Sequence, residues 1–275
     1  MEAETDRSVV PPLEDIPLED LKRIRGIFFD IDDTFSLHGK IPASAYSSLW
    51  RLKNAGFSAV PITGRPAGWC DHIARMWPVE GVVGENGAFY FRVDEDKGDF
   101  IKRFVDDAVT REEKRKRLET IRNEILDTVP GAALASDQNY READLAIDFC
   151  EDVPRLSWDE VDRICDIFKK HGATCKVSSI HVNGWFGDYS KLQMTRQIAW
   201  DLWNVDLDRN KDRYIYFGDS PNDEPMFQYF PVSVGVRNVL DFADRMNHLP
   251  AYVTSAEGGE GFSEAVDLFL RRLGH

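Results

Sequence analysis

The largely apolar run Ile24–Phe29 ends in Asp30-Ile31-Asp32-Asp33-Thr34, so carboxylates stand two residues apart at the mouth of a stretch that reads as a buried strand. A strand apolar on both faces belongs to a parallel sheet covered by helices, and open sheets of this kind place their chemistry beyond the carboxyl ends of the strands. That position gives each carboxylate a use. One can attack an electrophile or hold a divalent cation, while the other handles a proton at the leaving group. An Asx-type turn at Asp32 and Asp33 is the plainer alternative for this segment taken alone. An EF-hand calcium loop is excluded, because no glycine stands at its sixth place and Ile41 falls where a bidentate Glu is needed.

Three further segments follow in the order a doubly wound sheet would deliver them. In Ala59-Val60-Pro61-Ile62-Thr63-Gly64-Arg65-Pro66, a strand ends at Ile62 and Pro66 suits the first turn of a helix. Thr63 offers a hydroxyl and Gly64 a backbone amide that can approach a phosphoryl oxygen at a helix amino terminus. The same four residues also make an ordinary strand-to-helix turn. Asp188-Tyr189-Ser190-Lys191 places a single Lys at the start of a helix, where a solvated Lys would be unremarked. Tyr214-Ile215-Tyr216-Phe217-Gly218 is another apolar strand, and it breaks into Asp219-Ser220-Pro221-Asn222-Asp223. Hard oxygen ligands clustered in this way suit Mg²⁺. Asp is also a common cap before a Pro-initiated helix, so one of Asp219 and Asp223 is expected to cap.

These residues together resemble the haloacid dehalogenase (HAD) superfamily of aspartate-nucleophile phosphohydrolases. The likeness covers most of residues 24–273 and includes all four family motifs in order. Gly84-Glu85-Asn86-Gly87-Ala88 is similar to the segment that precedes the cap in Cof-type members. The resemblance implies that Asp30 is the nucleophile, forming an aspartyl-phosphate, and that Asp32 protonates the leaving oxygen and then activates water. It implies that Thr63 and Lys191 hold the phosphoryl group, with Gly64, Arg65 and Asn222 beside them. It places Mg²⁺ on Asp30, the Asp32 carbonyl and Asp219, with Asp223 supporting the metal from the same loop. One departure stands out, since many members have Gly where this chain has Asp33. Asp tolerates left-handed backbone better than most residues, so the loop is expected to survive.

A chain of 275 residues with 43% hydrophobic content can bury a full core and exceeds a usual single-domain length, so one domain plus an insertion is expected. No apolar run is long enough to span a bilayer and the first residues lack a signal-peptide charge pattern, which makes the expected location cytoplasmic and argues against a membrane partner. Cys70, Cys150, Cys165 and Cys175 show no paired metal spacing and read as free thiols. His72, His171 and His181 share no metal spacing either. A net charge of −14 argues against nucleic acid. A phosphorylated substrate must then be captured by a local positive site, which Mg²⁺ with Lys191, and Arg65, would supply. The expected assembly is a monomer or homodimer.

The predicted fold is α/β, a Rossmann-like doubly wound and mainly parallel sheet with an inserted α+β cap. Residues 1–22, with their acidic near-repeat, are expected to be a flexible leader or a surface strap. The core takes residues 23–88 and 187–275. Its first half carries a helix from about Pro42 to Asn54 with an apolar stripe at Ala45, Leu49 and Leu52, and its second half closes with a helix over Phe262–Leu273. The cap takes residues 89–186, roughly 100 residues, far longer than an ordinary loop. Strands are predicted at Ala88–Arg92, Leu145–Phe149 and 173–183, and helices at 112–129 and 158–171. In the last strands, period two places Ser179, His181 and Asn183 on one face and Lys176, Ser178 and Ile180 on the other. Arg141 is either a clamp for a distal anion or a surface charge, and the mixed run Arg111–Arg117 reads as a solvated helix face.

The reading that follows is a Mg²⁺-dependent phosphomonoester hydrolase, and because the insertion resembles the larger cap of Cof-like and sucrose-phosphatase-like relatives, that resemblance implies sugar phosphates or phosphorylated glycosides as the first substrate class. A phosphosugar mutase is the alternative within the superfamily, because Ile180–Lys191 is loosely similar to the phosphomannomutase pattern. A non-catalytic phosphate-binding protein is the alternative outside it, and the second carboxylate, Asp32, speaks against that.

Overall fold

The structure, a computed structural model, describes residues 10–275. Its first elements are α1 (Leu18–Arg23), β1 (Gly26–Phe29), α2 (Ala43–Asn54), β2 (Ser58–Pro61), α3 (Ala67–Met76) and β3 (Val82–Gly84). A hairpin of β4 (Phe89–Asp94) and β5 (Asp99–Phe104) follows, then α4 (Ala108–Thr128), β6 (Ala133–Leu134), β7 (Leu145–Asp148), α5 (Trp158–Lys170), β8 (Thr174–Val177) and β9 (His181–Trp185). The chain returns through α6 (Lys191–Trp203), α7 (Leu207–Asn210), β10 (Tyr214–Gly218), α8 (Glu224–Tyr229), β11 (Val232–Gly235), β12 (Tyr252–Val253) and α9 (Gly258–Leu273).

Five strands form one parallel sheet in the order β12-β11-β10-β1-β2, as the alternation of strand and helix predicts. Since β2 lies on one side of β1 and β10 on the other, the winding reverses at β1 and a crevice opens beyond the carboxyl ends of β1 and β10. Successive residues of β1 feed opposite layers. Phe29 meets Phe35 and Phe262 in the layer under α2 and α9, whereas Phe28 packs against Trp203, Tyr214 and Phe230 on the other face. Helix α2 docks through the predicted stripe of Ala45, Leu49 and Leu52, and burying each leucine is worth about 1.5–3 kcal/mol.

Residues 1–9, where the expected leader begins, lie outside the described residues. From Pro11 onward the chain is a strap rather than a free leader. Leu13, Ile16 and Leu21 are buried in the core cluster, and the Val253 amide donates to the Pro11 carbonyl, so the strap joins the edge of the sheet at β12.

The insertion divides into two parts. The hairpin β4–β5 pairs with β3 and packs Phe89, Phe91, Phe100 and Phe104 on the core cluster, although the cap was expected to begin at residue 89. A separate cluster that includes Leu118, Ile121, Ile147, Phe149, Ile164 and Phe168 begins with α4. It fills the space between α4, α5 and one face of a four-stranded antiparallel sheet ordered β6-β7-β9-β8. On the opposite face stand Asp148, His181, Asn183 and Lys176. The expected alternation separates Lys176 from Asn183, but 173–183 is not one strand. Ser178 Oγ accepts from the amides of Ile180 and His181 and closes a turn. Antiparallel pairing then sets Lys176 directly across from Asn183, on the same face.

Candidate active site

The crevice is lined by the loops that follow β1 and β10. Asp30, Asp219 and Asp223 each bring a carboxylate oxygen within 4.8 Å of the others, and all three are buried. Lys191, the first residue of α6, sits among them with Nζ 2.7 Å from Asp223 Oδ1 and 3.2 Å from Asp30 Oδ1. Their chemical states differ because their partners do. Asp223 is saturated: Oδ1 accepts from the Tyr216 hydroxyl at 2.5 Å and from Lys191, and Oδ2 accepts from the amides of Asp219 and Ser220. It is therefore the residue of the pair that caps, closing a capping box with Ser220. Asp219 takes one hydrogen bond at Oδ1, from the Thr34 hydroxyl, and its Oδ2 is buried without a partner. Burial pushes the Asp30 carboxyl up to about 8, with Asp223 and Asp32 adding to the effect against Lys191. Burial likewise raises Asp219 well above the carboxylate range, helped by Asp223 and Asp30. One ammonium among three carboxylates leaves the group short of positive charge. A divalent cation held by Asp30 and Asp219 fits the hard oxygens and the unpartnered Oδ2.

The loop after β2 supplies Thr63, Gly64 and Arg65. Thr63 is buried and its Oγ1 accepts from the Arg65 amide at 3.0 Å, fixing the turn at the start of α3. Arg65, expected beside the phosphoryl group, is instead surrounded by carboxylates. Nε and Nη2 grip Asp32 at 2.8–2.9 Å, Nη2 reaches Glu151 Oε1 at 2.6 Å and Nη1 reaches Asp137 Oδ2 at 3.2 Å. Its guanidinium also covers the Trp69 ring, 4.4 Å from the centroid. The Asp32 carboxylate is thus held by Arg65, and its side chain is not among the acids gathered at Asp30, Asp219 and Asp223. Glu151 and Asp137 belong to the cap. His181 Nε2 lies 2.9 Å from Glu151 Oε2. Although burial opposes it, His181 and Arg65 hold the Glu151 carboxyl down to about 2. Arg141 is neither a clamp nor a surface charge, because it is buried against Asp137 and Asp144 and donates to the Gly64 carbonyl at 2.9 Å.

The segment Gly84–Ala88 does more than precede the cap. Glu85 is fully buried and accepts from the Ala67 amide of α3 and from the amides of Glu142, Ala143 and Asp144 in the cap. It is a buckle between the two parts. Neither Glu85 nor Glu151 was singled out from the sequence, because each gains its meaning from a partner more than 15 residues away. Asp33 adopts φ 52°, the left-handed backbone the loop requires. Together with His38, Arg155 and Ser179 it borders two adjoining cavities of about 360 and 250 Å³, the smaller of which reaches Asp32 and Arg65. Asn222 accepts the Ser220 hydroxyl at Oδ1 and borders, with Lys191, a third and much smaller cavity.

Comparison with known proteins bears on the same residues. The family model of haloacid dehalogenase-like hydrolases matches residues 188–254, which contain Lys191, Asp219, Asn222 and Asp223. No curated protein matches significantly. Among solved structures, a Thermoplasma acidophilum protein is similar at TM-score 0.67 and 18% identity, over 90% of this chain and 98% of its own. The sucrose-phosphatase of a Synechocystis species, solved with sucrose and phosphate, is similar at TM-score 0.61 and 15% identity, over 89% and 97%. A sugar phosphatase of HAD subclass IIB matches at TM-score 0.58 and 15% identity, over 89% and 98%. At these identities the likeness to the solved structures is one of fold. No described helix is long and apolar enough to cross a membrane.

Proposed function

We propose that the chain, whose residues 188–254 match the haloacid dehalogenase-like hydrolase model, is a Mg²⁺-dependent phosphatase of sugar phosphates or phosphorylated glycosides, with Asp30 as nucleophile. The observation that carries this reading is the placement of Asp30 at the switch point, 3.2 Å from the Lys191 ammonium and beside Asp219 with its free oxygen. An Asp30 oxygen attacks phosphorus, the bond from phosphorus to the leaving oxygen breaks, and Asp32 delivers the proton that oxygen needs. Asp32 then takes a proton from the water that attacks the aspartyl-phosphate, which releases inorganic phosphate and restores Asp30. Thr63, the Gly64 amide, Lys191 and Asn222 hold the phosphoryl oxygens, and Arg65 aims Asp32 through its two-pronged grip. Mg²⁺ on Asp30 and Asp219 would neutralise charge gathering on the phosphoryl group.

The leaving group then lies in the cavities bordered by Asp33, His38, Arg155 and Ser179, whose walls also include Asp241 and Glu257. Carboxylates beside a guanidinium and hydroxyls suit a polyol, which can donate to the first and accept from the second. A leaving group bearing a second phosphate would meet the carboxylates of Asp32, Asp33, Glu151, Asp241 and Glu257, so singly phosphorylated substrates are favoured. The test is release of inorganic phosphate from a panel of phosphorylated metabolites with Mg²⁺. Sugar monophosphates should rank first. Asp30→Asn should abolish release with the thermal midpoint retained, and Asp32→Asn should lose about 10²–10⁴-fold. Appreciable release by Asp30→Asn would overturn the nucleophile assignment.

A further inference from the structure

We propose that Asn86 of the core and Lys176 of the cap complete the phosphoryl-binding cradle beside Lys191, so that the cap contacts the transferred group as well as the leaving group. The proposal rests on the phosphatase reading and extends it to two residues that reading does not use. Asn86 sits in the left-handed region at φ 55° and is 2% exposed, yet neither Oδ1 nor Nδ2 of its amide has a hydrogen-bond partner. Two orphaned polar atoms on one buried side chain are costly unless something satisfies them.

Its surroundings say what that something is. On one side is Gly64, where a Cβ would come 3.2 Å from Asn86 Nδ2. On the other is the start of α6, drawn close because Gly87 has no side chain to hold it off. The amide therefore lies between the Gly64 backbone and Lys191. It faces the small cavity of about 20 Å³ that is also bordered by Lys176, Trp185, Ser190, Lys191 and Asn222. No carboxylate borders this cavity, and every polar residue that does can donate. Trp185 Nε1 is a second buried donor without a partner. Lys176 stands on the sheet face that looks toward the core and forms no salt bridge among the described residues, in a chain of net charge −14. Buried donors and two ammonium groups, of which the Lys191 one also pairs with Asp30 and Asp223, describe a site for an oxyanion. The competing occupant is a single ordered water, for which the cavity is large enough.

Calorimetric titration of inorganic phosphate in the presence of Mg²⁺ separates the two. Asn86→Ala should weaken phosphate binding by about 10-fold or more, the scale of one hydrogen bond to a charged group. Lys176→Met should weaken it comparably while leaving the thermal midpoint of the phosphate-free protein unchanged, and Lys176→Arg should recover most of the loss. Should Asn86→Ala fold poorly, the Lys176 pair decides alone. Phosphate affinity within two-fold of wild type in Lys176→Met overturns the proposal and leaves the cavity to water. A wild-type protein that binds phosphate and releases it from esters, with indifferent variants, sinks this proposal only. One that neither binds nor releases phosphate sinks the phosphatase reading with it.

Discussion

At Gly87 a missing side chain sets the position of Lys191. The residue has φ +105°, and a Cβ there would lie 2.1 Å from the Ser190 carbonyl oxygen and 2.9 Å from the Lys191 amide nitrogen. Gly87→Ala must therefore strain the backbone and also push α6 away from the crevice. It should lower stability by more than the roughly 1–3 kcal/mol of a strained backbone site, and phosphate release should fall with it. Urea unfolding with midpoint and slope both measured is the check, and a stability within about 0.5 kcal/mol of wild type would mean that α6 is not held by this contact. Asp219 and Asp223 make the complementary point. They are four residues apart on one loop, and one is free to bind a cation because the other has taken the amides and the Tyr216 hydroxyl.

At the scale of elements, the strands and helices of the core were legible because each carries its own periodicity. Tyr214–Gly218 and the stripe on α2 are examples, and Asp30, Lys191 and Asp219 come together at the ends of such elements. Helix α9 begins at Gly258, ahead of the expected Phe262, because three glycines hid its first turn. What stayed hidden depends on pairing between distant segments. A hairpin turn at Ser178–Ile180 reverses the side to which Lys176 points, and a phosphate-contacting role for Arg65 gives way to three carboxylates, two of them contributed by the cap. The β7–α5 connection carries one of these, Glu151, and its pH response follows from its partners. Its folded value of about 2 lies below the ordinary 4.5, so the contribution of its charge to stability is complete above about 4.5 and is lost as pH falls toward 2. Glu151→Gln should therefore lower the thermal midpoint at pH 6–7, and the difference from wild type should shrink on acidification through that window. A difference that persists undiminished near pH 2 would show that charge is not what the residue contributes.

At the scale of the whole molecule, the two hydrophobic clusters define where the cap can be cut. Replacing residues 106–186 by a short flexible linker takes Trp185 from the core cluster but leaves Phe89, Phe91 and Phe104, whereas replacing 89–186 removes all four. The first variant should stay folded, release phosphate from a small activated ester and lose most of its preference among sugar phosphates. The second should unfold or aggregate, because it strips aromatic side chains worth about 3–5 kcal/mol apiece from the core. Circular dichroism with phosphate release measures both, and a folded 106–186 deletion that keeps the wild-type preference would show that the cap does not select the substrate. Arg65 ties the two parts in a further way. Its guanidinium is shared between Asp32 in the core and Glu151 and Asp137 in the cap, and such pairings strengthen as water is excluded. Under the proposed mechanism, the aim of Asp32 and the hold of the cap on the core are then linked equilibria, and linkage is reciprocal. A substitution confined to Asp32 should change how firmly the cap is held, just as one confined to Glu151 should change how firmly Asp32 is aimed.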